Sequence, residues 1–371
     1  MAAKFYTYSA ESDIATEIYI TATPDTALSL EDQAKEIYAK IARILKEKNA
    51  SLFMERIFAT NDVTKQINTI RLEEYGSLDD GVLPAFLVCK PSAEIGLFAG
   101  VQIHAIISDQ PLEIIDIEDK SFGRFFGTDK CKYLSISGLS FPQINEPSDQ
   151  ARKMFDLTEQ ALENFGGDYH CVPRTWMWLG DILSWYDDFN AVRSKFFVER
   201  GILGKGSTQS MPASTGIGLG PDDGAACSMD LTAAIEPRQI EYLQAGGKQQ
   251  CAFEYGSAFS RASRATTPAG ETVFVSGTAA IDAAGITTNI GKSKEQIEDT
   301  ITNIQAVLRD MNCSDDEVVQ VMAYCKTPEA EKAFYQMTEK PDWPWVAMVC
   351  DVCRDNLLFE IELIALPRKQ L

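Results

Sequence analysis

Hydrophobic positions fall into three blocks along the chain. Each block runs through a two-residue alternation, then a stripe spaced by three and four, then alternation again. The third block is the clearest. Its hairpin "FSRASRATTPAGETVFVSGTAAID" turns around Pro268 to Gly270 and alternates through Val273 and Val275. An amphipathic helix, "SKEQIEDTITNIQAVLRDMN", follows, with Ile297, Ile301, Ile304, Leu308 and Met311 on one stripe and Ser293 as its expected N-cap. A strand ("EVVQVMAYCKT"), a helix opening at Pro328 and two last strands ("WVAMVCDV" and "LLFEIELIAL") complete the order ββ-α-β-α-ββ. The second block repeats it with "GRFFGTDKCKYLSISGLSFP", a helix over 149–165, the strand "YHCVPRTWMWLG", a helix over about 185–200, and "AACSMDLTAAIEP". The first block has "EIYITATP", the helix "LEDQAKEIYAKIARILKEKN", "SLFMERIFAT" and "GLFAGVQIHAI". The pattern predicts an α+β chain of three tandem segments, over residues 1–110, 111–240 and 241–371. The Gly/Ser/Pro-rich stretch over 201–224 reads as a binding or linking loop.

Two carboxylates break the apolar pattern of the last strand. With period-2 alternation, Phe359, Ile361 and Leu363 share one face, and Leu358, Glu360, Glu362 and Ile364 share the other. The three closing strands "GVQIHA", "SMDLTA" and "EIELIA" align, so Glu360 corresponds to Ser228 and Gly100, and Glu362 to Asp230 and Gln102. A polar group recurs at the second position, which marks Glu362 as structural or edge-exposed. The acid at the first occurs once, which marks Glu360 as a candidate for chemistry. Burying an unpaired carboxylate is costly enough that it either finds a partner or keeps its proton.

Composition narrows the function. Net charge is −20 with a pI near 4.6 and no basic cluster, which argues against nucleic-acid or anionic-membrane partners. The opening residues lack a basic stretch followed by an apolar core, and no apolar run reaches about 18 residues, so the expectation is a cytoplasmic protein. Nine scattered cysteines point to reduced thiols. Cys350 and Cys353 have the CxxC spacing but no second pair, and the two histidines, His104 and His170, are too few for a multi-histidine metal site or a His-dependent triad. Each histidine reads as structural, and no metal or organic cofactor is expected.

The third segment, "ETVFVSGTAAID" through "FEIELIA", resembles the YjgF/RidA family (a chorismate mutase-like fold), whose members are trimers with clefts between subunits; three copies in one chain would form an intramolecular pseudo-trimer. Imine deaminases of that family carry Pro-Ala-Arg in the strand before the last, where this chain has Trp345, Val346 and Ala347 and no arginine. A closer resemblance, over roughly 170–371, is to the chorismatase family, through "RTWMW", "MPASTGIG", "FSRAS", "FVSGTAAI" and "DVCRDNLLFEIE". It implies a chorismate-like dicarboxylate substrate and Glu360 as the catalytic acid. Gly277 and Cys353 match the pocket positions of the 3-hydroxybenzoate-forming subtype, where hydrolytic members carry alanines. Tyr255 and Thr278 are placed with the substrate by the same resemblance.

A glutamate flanked by Leu358, Phe359 and Ile361 has its pKa raised by desolvation and can serve as an acid at neutral pH. Two carboxylates on a substrate call for arginine forks, and Arg174 and Arg261 are the candidates. Thr215 and Gly216, in "STGIG", offer backbone N–H groups, and Trp176 could wall a ring. Cys353 is read as a shaping or hydrogen-bonding group more than a nucleophile. The cleft is expected between segments two and three, in a monomer. The rival readings are a RidA-like imine or enamine hydrolase and a non-catalytic small-carboxylate binder.

Overall fold

The computed structural model describes residues 1–204, 210–247 and 249–368, with the side chain of Tyr255 outside the described part. Segment one contains β1 (Lys4–Glu11), β2 (Thr16–Thr23), α1 (Leu30–Lys48), β3 (Ser51–Ala59), α2 (Thr64–Tyr75), β4 (Ala85–Val88) and β5 (Phe98–Ile107). Segment two contains β6 (Glu113–Ile117), β7 (Lys120–Gly127), β8 (Lys132–Ser140), α3 (Pro147–Asn164), β9 (Arg174–Leu179), α4 (Ile182–Glu199), β10 (Ala213–Ile217), β11 (Gly220–Pro221) and β12 (Cys227–Glu236). Segment three contains β13 (Ile240–Leu243), β14 (Ala262–Thr267), β15 (Gly270–Ala279), α5 (Ser293–Asp310), β16 (Val318–Cys325), α6 (Pro328–Gln336), β17 (Trp345–Val349) and β18 (Phe359–Ala365).

These strands form three six-stranded sheets of matching order. They read β4-β3-β5-β2-β1, β10-β9-β12-β8-β7-β6 and β17-β16-β18-β15-β14-β13, with the short β11 capping the first beside β4. The chain is therefore three tandem YjgF-like segments closed into a pseudo-trimer. The alternation in each strand explains the packing: one face of each sheet meets its own helices, and the other meets the remaining two sheets in a shared core that includes Tyr19, Phe53, Trp176, Trp178, Phe274 and Ile364. Phe359, Ile361 and Leu363 face α5, so Glu360 and Glu362 face inward. Among the described residues no helix is long and apolar enough to cross a membrane.

Several local expectations shift. Segment one gains β1, β4 and α2. The last of these was hidden because Val63 supplies no side-chain cap and Leu72 breaks the stripe by facing solvent. The helix over 149–165 is Pro147–Asn164, with its proline in the first turn, where a missing N–H costs nothing. The helix expected from 185 begins at Ile182, with non-helical backbone at Trp185. Ser293 is the first helical residue of α5 and Lys292 is its N-cap, without a side-chain bond.

Candidate active site

The sheet interfaces use the closing-strand polar positions. Arg56 Nε meets Asp230 at 2.6 Å across segments one and two, and Arg174 Nη2 meets Glu362 at 2.6 Å across segments two and three. Between three and one, neutral amides serve: Gln102 Nε2 donates to the Val321 carbonyl, and Gln320 Nε2 to the Ile20 and Ile103 carbonyls. Glu362 also accepts from Trp176 Nε1 at 2.6 Å, and β18 lies in the middle of its sheet, so Glu362 is a buried structural acid and has no edge exposure. Removing one partner of a buried pair strands the other charge. Arg174→Met is expected to destabilise the protein by ~3–5 kcal/mol in urea unfolding, with Arg174→Met/Glu362→Gln recovering most of the loss. An unchanged single variant would remove the pair from the account of this interface.

Two residues away along β18, Glu360 has a different environment. It is 5 % exposed and makes no hydrogen bond among the described residues. Its side chain reaches a cavity of about 200 Å³ between segments two and three, walled by Tyr186 and Asn190 of α4, Gly216 of β10, Arg261, Gly277 and Cys353. Burial pushes the Glu360 carboxyl up to about 8, and the Glu362 charge adds to this, against the opposing pull of Arg354, Arg261 and Arg174. Burial, with the Glu360 charge, also pushes the Cys353 thiol up to about 12, which holds it as S–H.

A bulge in β15 brings the glycine to the acid. Its register with β18 slips between Val275 and Thr278. The slipped residues turn to segment two: Ser276 Oγ accepts from the Ser214 N–H at 2.7 Å, and the Gly277 N–H donates to Thr215 Oγ1 at 2.9 Å. A Cβ on Gly277 would stand 2.0 Å from Glu360 Oε1, so the absence of a side chain is what admits the carboxylate. Arg261 is held by the Gln250 carbonyl, which accepts from its Nε and Nη2 at 3.2 and 2.9 Å.

Of the residues singled out by sequence, Glu360, Cys353, Arg261, Gly216 and Gly277 line one cavity. Arg174 does not line it; the pull of Glu362 and a 2.6 Å bond from Nη2 to Thr215 Oγ1 hold it behind the wall. Thr215 is a linker between Arg174 and Gly277, and its hydroxyl is used in place of the expected backbone N–H. Thr278 bonds back to the Ser276 carbonyl at 2.9 Å, and Trp176 is buried in the shared core, where its N–H serves Glu362. Tyr255 closes a short turn of helix, and its side chain lies outside the described residues. The stretch 201–224, expected as a loop, instead contributes β10, paired in parallel with β9, and β11, paired with β4; it is described except for 205–209. His104 pairs with Glu17 at 2.8 Å and His170 bonds Ser210 and the Arg200 carbonyl, both away from the cavity.

Sequence reasoning missed Arg354, Tyr186 and Asn190. Arg354 adjoins Cys353 in "DVCRDN" and could have been found there; its Nη1 donates to the Gly285 carbonyl at 2.6 Å and it lines the cavity. Tyr186 and Asn190 stand one helical turn apart on α4, a spacing with no chemical signature until segment three packs against it.

Comparison with known proteins bears on the fold and on the family resemblance. Residues 254–366 match the family described as "Endoribonuclease L-PSP". A 3-hydroxybenzoate synthase of Streptomyces hygroscopicus is 28% identical over 248 residues, 60% of this chain and 70% of that protein. The crystal structure of a chorismatase superposes with a TM-score of 0.60 at 18% identity, covering 99% of each chain. The chain has the chorismatase fold over its whole length, and the resemblance read from the sequence is found in both comparisons. The relative that it matches in sequence is, more particularly, a 3-hydroxybenzoate synthase.

Proposed function

We propose that this protein cleaves chorismate at the cavity between segments two and three, releasing pyruvate and 3-hydroxybenzoate. The observation that carries the reading is a buried Glu360, without a hydrogen bond among the described residues and with its carboxyl pushed up to about 8, lining the same cavity as Arg261 and Arg354. Each arginine fork suits one substrate carboxylate, with Arg354 in the role first expected of Arg174. Glu360 gives its proton to the terminal methylene carbon of the enolpyruvyl ether. This makes an oxocarbenium-like centre that the neighbouring ring hydroxyl or water can attack. Without net addition of water, the atoms of chorismic acid divide completely between pyruvic acid, which takes the side chain, and a hydroxybenzoic acid, which takes the ring. With water added, the ring leaves as a dihydroxycyclohexadiene acid. We assign segment 241–371 the catalytic part, 111–240 the facing wall and 1–110 a degenerate supporting part, in a cytoplasmic monomer that needs no cofactor.

The test is to mix purified protein with chorismate, couple pyruvate to lactate dehydrogenase, and separate the ring product against 3- and 4-hydroxybenzoate. Pyruvate with 3-hydroxybenzoate is expected. Pyruvate with a non-aromatic diol would keep the cleavage and overturn the product. No turnover by folded protein would leave a carboxylate-binding cleft and overturn the reading.

A further inference from the structure

The pseudo-threefold order of the sheets gives the first cavity a counterpart. Aligning the closing strands makes Leu363 equivalent to Ile103; their partners are Val275 on β15 and Ile20 on β2. From there, Arg261, whose carbonyl accepts the Ser276 N–H, occupies the register position of Tyr6, which stands opposite Thr21. The helix α4 corresponds to α6 and β10 to β17, so the equivalent cleft lies between segments three and one. A cavity of about 180 Å³ is found there, walled by Lys4 and Tyr6 of β1, Tyr335 of α6, Lys340, and Trp345 of β17.

The two cavities have opposite chemistry. Gly100 takes the place of Glu360, and a Cβ on it would stand 2.5 Å from the Ala22 carbonyl oxygen, with φ at +149°; no acid can occupy that position. At the third equivalent Ser228 stands in the place of Glu360, and a Cβ on Gly138 would come within 3.3 Å of the Ala85 Cα. In the second cavity two lysines, Lys4 and Lys340, share the wall. Neither Lys4 nor Lys340 joins an ion pair among the described residues, and Lys340 is held by the Met337 carbonyl at 2.7 Å. Its partial burial and the charge of Lys4 both disfavour its charged form, which an incoming anion would relieve. The acids on this side are Asp342, acting on Tyr6 and Tyr8, and Glu331 and Glu94, acting on Tyr335; Glu331 is already engaged by the Ser92 hydroxyl at 2.5 Å. Lys4, Lys340 and Met1, whose terminal ammonium donates to Thr26 Oγ1, line this cavity beside the rings of Tyr6, Phe334, Tyr335 and Trp345, so cationic groups stand at an aromatic wall in a chain of net charge −20.

We propose that this second cavity is a binding site, without catalysis, for a small aromatic monocarboxylate, its carboxylate between Lys4 and Lys340 and its ring against Tyr6, Tyr335 and Trp345. The inference stands on the cavity itself and holds whether or not the first cavity cleaves chorismate; if it does, its own product belongs to the class that the second cavity takes.

Equilibrium dialysis with labelled 3-hydroxybenzoate tests it on the full chain. Lys4→Ala/Lys340→Ala is expected to lose one bound equivalent, or to weaken it at least tenfold, whereas Arg261→Ala retains that equivalent. Lys4 is exposed and Lys340 half-buried, so the variant keeps its fold, and Lys340→Met alone gives a second, milder substitution with the same expected direction. 3-Hydroxybenzamide, which lacks the charge, is expected to bind at least tenfold more weakly at the same site. Bound equivalents and affinities unchanged by the lysine substitutions, or equal binding of the amide, overturn the proposal.

Discussion

Glu360→Gln is expected to abolish pyruvate release while the chain stays folded, and to make the protein more stable than the parent in alkaline buffer. The substitution keeps the shape of the side chain and removes the proton that the reaction needs; a positioned general acid contributes about 10²–10⁴-fold. The parent's activity should hold through neutral pH and fall about tenfold per unit above pH 8, as Glu360 loses its proton. The stability follows from the same burial. The carboxyl binds its proton more tightly in the folded chain, with a pKa of about 8 against an ordinary 4.5. Between those values the folded state holds more protons than the unfolded one, so stability is full below the lower value and is lost as pH rises through the upper one, by up to ~1.4 kcal/mol per pH unit. Glutamine does not titrate, so the gap in Tm between variant and parent should widen from pH 5 to pH 9. Full activity in the variant would remove Glu360 as the acid. A constant Tm gap would mean that the carboxyl is already ionised at low pH.

The parts of this arrangement that were legible in sequence are those written in local pattern. Alternation and helical stripes show three blocks because each strand must bury one face on its helices and the other on a shared core, and this imposes the same period three times. The acid found at its aligned position in one closing strand alone, Glu360, was legible because the repeats serve as their own comparison: Gly100 and Ser228 stand where Glu360 does. What failed depended on which segment packs against which. Arg174 and Arg261 look alike in sequence; only the assembled sheets place Glu362 within 2.6 Å of the first and a cavity beside the second. Trp176 reads equally well as a ring platform or as core, and the shared interface makes it a donor to Glu362. Arg354 lies in an irregular segment after β17, where no periodicity reports direction. The α4 wall is legible as a helix, but the face it turns to segment three is set by a contact distant in sequence.

Gly277→Ala is expected to lower turnover about a hundredfold, and adding Cys353→Ala to restore part of it with a changed product. The backbone at Gly277 is outside the left-handed region, so alanine is conformationally acceptable; the conflict is with Glu360 Oε1, 2.0 Å from the added carbon, and with Thr215 Cγ2 at 3.1 Å. The end of a side chain yields more easily than backbone, so the carboxylate swings aside and the fold survives. A displacement of about 1 Å at the reacting group costs on the order of 10²-fold. Cys353 shares the cavity and its thiol feels the Glu360 charge, so it stands beside the space into which the displaced acid must move. Removing its sulfur, which leaves only the β-methyl, opens that space, and the two substitutions should therefore be non-additive, as neighbours sharing a cavity are. The room left also admits water next to the oxocarbenium-like centre. Cys353→Ala alone should shift part of the product from 3-hydroxybenzoate to the dihydroxycyclohexadiene acid, and the double variant further. Because the thiol stays protonated to about pH 12, this shift should not vary with pH between 6 and 8, as it would if a thiolate were the attacking group. Chromatography of the ring products, run beside the pyruvate assay, measures both effects. A product ratio unchanged in Cys353→Ala and in the double variant would separate these two residues from the choice of ring product, while leaving the acid at Glu360 untouched.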